Sequence, residues 1–488
     1  MGCMSDPGRF RLPAVSGALG LVLGGLALSW TAPPAASATE GTAEGARELQ
    51  ASIEQYFGQE IFEKGILTIA PRGDGYDFVI HRNRIAAKQP DPPAPDLQMT
   101  FHVVPEADGT YAFKSEGDPF TGSDAGGGSM QSLQNCQAHG VFDARARYFA
   151  SLDAGCDRIA LKGQLESEPF SVDTGKISFH MSGKPAANGA SDIDMAFDVP
   201  DLVTVVPNKD TPDPKDFSRF TVGHIHYGIH LDAVHYAGLF DFYRFALSLD
   251  TVAKAQAADS ELRDRFKAIL PVWNGLQVEA AYDAVRVEST GVTVLLDHYG
   301  ERHALSGMVK DGHYSLDVTL AGFALAPNRK SLPAGILPSG LGLRFDVTGV
   351  DLERIANTML DNPGSSDAGL QSALVDLLID GKAVFSADAS VTAPDYAVIG
   401  KARAPINLRM QGTGSFSASG YDAISADISQ LKSEDVAGYA LILAFLKGLA
   451  RGTPDGHLAW DVAFDLVARK ITVNGQSFDL PEKGKGEE

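Results

Sequence analysis

Three groups of residues in this 488-residue chain have types and spacings that chemistry uses. The first is His224-Ile225-His226-Tyr227-Gly228-Ile229-His230. On an extended strand alternate side chains share a face, so His224 and His226 stand close enough together to share a metal. His230 lies about 20 Å from His224 at ~3.3 Å per residue, beyond reach unless the chain bends at Gly228. Ile225, Tyr227, Ile229 and Leu231 make an apolar opposite face. Zinc takes three or four ligands, and this pattern supplies two. His224 and His226 are the only metal candidates, and the expectation is an amphipathic strand with histidines on its wet side and no metal.

The second group is Cys136 and Cys156. In an exported chain, two cysteines read as one disulfide. Closing a loop of about 20 residues is worth roughly 3 kcal/mol in the chain-entropy model. The segment follows a glycine-rich run, Gly122 to Ser129, and reads as a loop. A redox-active pair would want C-x-x-C spacing, which is missing. The third group, Ser429-Gln430-Leu431-Lys432, matches S-x-x-K, but the S-D-N and K-T-G elements that support such a nucleophile are absent. Ser429 therefore reads as a loop or helix-entry residue. There is no G-x-S-x-G, P-loop, G-x-G-x-x-G or H-E-x-x-H. Carboxylates are plentiful, yet none pair off for acid–base work. No catalytic residue and no cofactor is assigned.

The elements that would hold these residues are mostly strands. Ile193, Met195, Phe197 and Val199 alternate with polar residues. So do Leu316, Val318 and Leu320; Leu343, Phe345 and Val347; Ile406, Leu408 and Met410; and Leu458, Trp460, Val462, Phe464 and Leu466. Period two with one polar face predicts antiparallel sheet packed on one side. Shorter strands are expected at Ile66–Ala70, Tyr76–His81 and Met99–Val104. Helical spacing joins Leu49, Ile53, Tyr56 and Phe57; Leu352, Ile355, Met359 and Leu360; and Leu370, Leu374, Leu377 and Leu378. Two helical regions are more apolar. One runs from Val234 to Leu249, the other from Val436 to Leu449. A helix apolar all round needs a cover, so Phe240, Phe242 and Phe245 on one side, with Leu441, Phe445 and Leu449 on the other, are candidates to line an apolar ligand cavity.

The amino terminus gives an address. Arg9 and Arg11 precede an uncharged apolar run, Ala14 to Trp30, which ends in Ala36-Ser37-Ala38. That order predicts a signal peptide cleaved after Ala38, leaving a periplasmic, soluble protein; the alternative is an uncleaved anchor. The run is about 17 residues, short for a span, and carries four glycines. After cleavage, no integral membrane segment is expected. The formal charge of −21 disfavours nucleic acid and anionic lipid head groups as partners.

The passage Leu332-Pro333-Ala334-Gly335-Ile336-Leu337-Pro338, leading into Leu343-Arg344-Phe345-Asp346-Val347-Thr348-Gly349, resembles an alphaproteobacterial envelope family, domain of unknown function 2125. The ending, Leu458-Ala459-Trp460-Asp461 through Ile471-Thr472-Val473-Asn474-Gly475, resembles it too. That family is reminiscent of AsmA-type and YdgA-type envelope proteins. The likeness covers mainly residues 310–480. It implies an amino-terminal signal or anchor and a long β-rich body, and it brings no catalytic residues.

The sequence thus predicts an α+β fold with large, curved antiparallel β-sheets partly covered by amphipathic helices. Its expected parts are a signal peptide (1–38), a β-rich domain with the disulfide loop and a terminal helical region (39–270), a second β-rich domain with amphipathic helices (271–480) and a charged tail (481–488). The expected function is non-enzymatic: binding of a lipid or other apolar small molecule. The alternative is a structural or assembly factor acting through an envelope protein partner, with a hydrolase third.

Overall fold

The computed structural model describes residues 41–81, 98–116, 130–144, 148–165, 168–207, 217–249, 252–289, 291–326, 335, 337–361, 375, 381–430 and 436–480. The expected signal peptide, the helix expected around Leu370–Leu378 and the expected charged tail lie outside these residues, apart from residue 375. Among the described residues, 24 strands join into one sheet. They are β1 (Leu67–Arg72), β2 (Gly75–His81), β3 (Gln98–Pro105), β4 (Thr110–Glu116), β5 (Met130–Gln134), β6 (Gln137–Asp143), β7 (Tyr148–Cys156), β8 (Arg158–Leu165), β9 (Glu168–Thr174), β10 (Ile177–Pro185), β11 (Ser191–Pro207) and β12 (Phe217–Val234). There follow β13 (Gly275–Ser289), β14 (Val292–Ser306), β15 (Gly312–Ala321), β16 (Ala324–Ala326), β17 (Gly340–Val350), β18 (Val384–Thr392), β19 (Ala397–Pro405), β20 (Gln411–Ser419), β21 (Arg451–Gly452), β22 (Leu458–Asp465), β23 (Lys470–Val473) and β24 (Gln476–Asp479).

All pairings are antiparallel. From β1 the sheet runs β1-β2-β3-β4-β6-β7-β10-β11-β12. It continues through β13, β14, β15, β17, β18, β19, β20, β22 and β23 to β24. A side branch, β5-β8-β9, joins β11 at Val203–Val205. The sheet passes across residue 270 through the β12–β13 pairing. Strand and turn chemistry agree. The two-residue turn between β23 and β24 is Asn474-Gly475, with φ of 46° and 85°, the left-handed pair that a tight hairpin asks for.

The long central strands are creased. Asp201 in β11 and Ala284 in β13 have φ of 52°. Gly223 lies between them, where an added Cβ would sit 3.1 Å from the Ala284 Cβ. Across this line the core-facing positions slip by one residue. Val199 and Leu202, Ile225 and Val222, and Tyr282 and Val285 all pack in the same cluster. The crease redirects one end of β11 to β9 and the other to β10, so the sheet forks there.

The amino-terminal part holds a well-covered core. Phe101, Phe113, Phe142 and Phe149 are buried and meet edge-on, with ring centroids 5.4–6.4 Å apart. The helix Ala43–Phe57 caps it through Ala46 and Ile53, and its Thr42 hydroxyl accepts from the Gly45 N–H at 3.0 Å.

Two expectations change. The segment between the cysteines is a hairpin, β6 and β7, not a loop. Its apolar residues, Ala138, Phe142, Phe149, Leu152 and Ala154, are buried in this core, and that packing orders it. The Cys136–Cys156 disulfide is present, with Cα atoms 4.0 Å apart. Ile406–Met410 is a turn rather than a strand. The Asn407 side chain accepts from the Arg409 N–H at 2.9 Å, an Asx turn that outcompetes extended pairing.

Candidate functional site: an uncovered apolar face

From β12 onward, each strand sends alternate residues to opposite faces. Register carries this across the sheet. On the polar face Glu279, Arg302, Asp317, Arg344, Asp388 and Lys401 stand directly opposite one another on six successive strands. Charge sign alternates along the row. Arg302 reaches Glu279 at 3.3 Å, and Lys401 reaches Asp388 at 3.7 Å. A matching row crosses the amino-terminal strands: Asp77, His102, Lys114, His139, Asp153 and His180.

The histidine strand belongs to this polar face. His224 and His226 flank Asp198 of β11, with Nε2 of the first 3.1 Å and Nδ1 of the second 2.8 Å from its Oδ1. His230 lies between Asp194 (2.6 Å) and Asp232 (2.8 Å). The hydrogen bond to Asp198 holds the His226 pKa above its ordinary value, against a smaller effect of burial. Asp194 does the same for His230. Among the described residues, no group of three or more His, Cys, Asp or Glu is arranged to hold a metal ion.

The other face is apolar. One row reads Ile225, Tyr282, Tyr299, Leu320, Leu341, Val391, Val398 and Ala418 from β12 to β20. A neighbouring row includes Tyr227, Val318, Leu343 and Phe416. Face and burial do not match here. Among the described residues beyond 275, the buried apolar side chains are Ala280, Val350, Ala383, Ala418, Tyr421 and Trp460. The large residues of the middle strands, from Tyr282 and Val318 to Phe345, Phe385 and Val391, are only half-buried. Tyr227, Tyr314 and Phe416 are 37%, 38% and 41% exposed. A sheet face of this kind ordinarily packs against a second layer. Here neighbours within the sheet supply most of the cover.

A polar group interrupts that apolar face on β12–β15. The Tyr227 and Tyr282 hydroxyls are hydrogen-bonded. The Tyr299 hydroxyl donates to Glu301 Oε2 at 2.9 Å. His303 Nδ1 and the Tyr314 hydroxyl are 3.0 Å apart. Burial, then the Tyr227 hydroxyl, push the Tyr282 pKa up, and burial and Glu301 push that of Tyr299 up, so both phenols stay neutral.

The two apolar helices sit against different elements. Tyr236–Ser248 packs on the helices Ala43–Phe57 and Asp259–Ala268. There Phe242 meets Phe266 at 5.4 Å, the Arg265 guanidinium lies 4.0 Å over the Phe245 ring, and Phe240 stacks on Tyr236. Val436–Leu449 packs on the helix Tyr421–Gln430. Its inner side is fastened by three donors. Tyr421 Oη donates to the Leu443 carbonyl (2.7 Å), Trp460 Nε1 to Leu446 (2.8 Å) and Asn474 Nδ2 to Leu449 (2.8 Å). Its outer side is bare: Leu441 is 71% exposed, Ile442 55% and Phe445 54%. Leu449 is half-buried in the cluster around Trp460. Thus Phe240, Phe242 and Phe245 on one helix and Leu441, Phe445 and Leu449 on the other occupy separate surroundings. No helix among the described residues is long and apolar enough to cross a membrane.

The strand apolar positions were visible as alternation in the sequence. That they remain uncovered was not, because cover is a property of what packs on them. Tyr227, Tyr282, Tyr299 and Glu301 come from three strands, and only register unites them. No family model, curated protein or solved structure matches the chain.

Proposed function

We propose that this is an exported, non-enzymatic protein that holds a lipid or other apolar chain along the half-exposed apolar face of β13–β18. One observation carries the reading: large side chains that alternate toward one face of an open sheet stay half-exposed, whereas the amino-terminal strands bury theirs. Contiguous apolar surface of that extent marks a binding site or a liability to aggregate. The opposite face, with its alternating charges, keeps the other side of the sheet wet. A structural disulfide, Cys136–Cys156, suits an oxidising compartment, and the leader-like amino terminus supports export to the periplasm. The test is native mass spectrometry of protein purified from its own periplasm, beside titration with an apolar fluorescent probe. We expect a co-purifying apolar molecule and probe binding that falls at least about tenfold, ~1.4 kcal/mol, in Leu343→Asp. A wild type that takes up neither lipid nor probe overturns the reading.

The bare side of Val436–Leu449 favours a second reading, docking of an envelope protein through an uncharged apolar face. Both cations beside it are already paired: Lys447 with Asp422 at 2.5 Å and Arg451 with Asp461 at 3.2 Å. The rim therefore offers little to an anionic bilayer surface, which suits an apolar protein face better. A partner lost in Leu441→Glu, with probe binding kept, would assign the helix to this second role.

A further inference from the structure

We infer that the tyrosines of β12–β14, with Glu301, form a cation-binding cage in the apolar face, and that the chain bound there carries an ammonium head group. The inference rests on the binding role proposed above and adds the chemistry of the ligand's polar end.

Three rings and one carboxylate follow one another in contact across the face. Tyr282 and Tyr299 stand directly opposite on β13 and β14, with ring centroids 5.8 Å apart and planes at 53°. Tyr227 approaches Tyr282 diagonally from β12, also at 5.8 Å, with planes at 85°. None of the rings is stacked on another, so each keeps a π face available to a third group. A cation within about 6 Å of such a centroid is attracted by the ring quadrupole, with roughly 0.5–2 kcal/mol at stake. Glu301 lies across from Ala280 in the neighbouring row, between Tyr299 and His303 on β14. It accepts from the Tyr299 hydroxyl and makes no ion pair among the described residues. It stands half-buried among apolar rows and the tyrosine hydroxyls, where a carboxylate gains from a further polar partner. Every arginine and lysine of the charge ladder lies on the opposite face, and His303, two residues along β14 on this face, is turned to the Tyr314 hydroxyl, so a cationic ligand is the partner that Glu301 suits. An ammonium group meets both demands: rings for its alkyl or N–H surface, and a carboxylate for its charge. The apolar rows that run from the cage along β15–β18 then receive the attached chain. A phosphate or carboxylate head group would meet Glu301 with like charge and is disfavoured.

The test compares two detergents of equal chain length, each below its micellar concentration, by isothermal titration calorimetry on the full mature chain. Dodecyltrimethylammonium presents the cation, and dodecyl maltoside an uncharged head. We expect the wild type to favour the ammonium by about tenfold, ~1.4 kcal/mol. Glu301→Gln and Tyr282→Leu should each reduce the preference to about threefold or less, while Tyr282→Phe, which keeps the ring, retains it. Dodecyl maltoside affinity should be the same in all four proteins. A preference unchanged in Glu301→Gln would trace it to the net negative charge of the chain and overturn the cage. Equal affinities in the wild type would overturn the cage and leave the apolar binding role intact. Failure of both detergents to bind overturns both.

Discussion

At the scale of single residues, the histidine strand is a set of contacts to aspartates: His224 and His226 on Asp198, and His230 between Asp194 and Asp232. The wet side of that strand was legible in the alternation of Ile225, Tyr227, Ile229 and Leu231. Its partners were not, because Asp198 and Asp194 arrive from a different strand through register. The pairs make stability depend on pH. His226 and His230 have folded pKa values raised by Asp198 and Asp194, against ~6.5 in the unfolded chain. His102 is raised as well, since its hydrogen bonds to Asp77 and Asp74 outweigh the opposing effect of burial. A raised folded pKa gives stability that is full below about 6.5 and lost as pH climbs through the folded value. The urea midpoint should therefore fall as pH rises above about 6.5. Replacing His226 and His230 by Gln should flatten that slope, cost on the order of 0.2–1 kcal/mol per pair at the lower pH, and do little at the higher one. A slope unchanged in the double variant would place the pH dependence elsewhere. Salt should shrink the effect only in part, because the His226 and His230 side chains keep 32% and 36% of their exposure.

At the scale of elements, two strengths of packing separate residues that look alike in sequence. Phe445 and Trp460 are both large and apolar, yet Phe445 is 54% exposed and touches Phe478 edge-on at 5.9 Å, while Trp460 is 8% exposed. Phe445→Ala should cost about 1 kcal/mol or less, far below the ~3–5 kcal/mol of a buried aromatic, which Trp460→Ala should approach. Chemical denaturation of the two variants measures the difference. The span Val436–Leu449 was legible as a helix from its apolar run, but the direction in which it faces was not. That is decided by Tyr421, Trp460 and Asn474, whose hydrogen bonds fix the inner side. The Ile406–Met410 turn shows the converse limit, where one Asn side chain overrides three alternating apolar residues. The crease offers another test. Ala284 holds a left-handed conformation that costs a non-glycine residue ~1–2 kcal/mol, and glycine loses ~0.5–1 kcal/mol in added chain freedom. Ala284→Gly should gain up to about 1 kcal/mol in stability, and a clear loss would mean that the methyl group packs.

At the scale of the whole molecule, period-two alternation revealed antiparallel sheet, and strands form one sheet of that kind. What alternation could not reveal is that a single sheet crosses residue 270, since backbone pairing leaves no mark on side-chain pattern. The disulfide belongs to this scale because it ties the β6–β7 hairpin within the amino-terminal core. Replacing Cys136 and Cys156 by Ala should cost roughly 3 kcal/mol, read as a lower thermal midpoint that reducing agent reproduces in the parent protein. The order of the strands has a kinetic side. Nearly every strand pairs with one that lies close to it in the chain, and a chain stopped after Ala321 would already contain both partners of every pairing of β1 to β13. Closing short loops is entropically inexpensive, and low sequence separation speeds folding. A polypeptide that emerges amino terminus first can thus add its strands in the order in which they appear, like a zip drawn from one end. Pulse-labelled hydrogen exchange on ribosome-bound chains stalled after Ala321 should find the β1–β4 amides already protected.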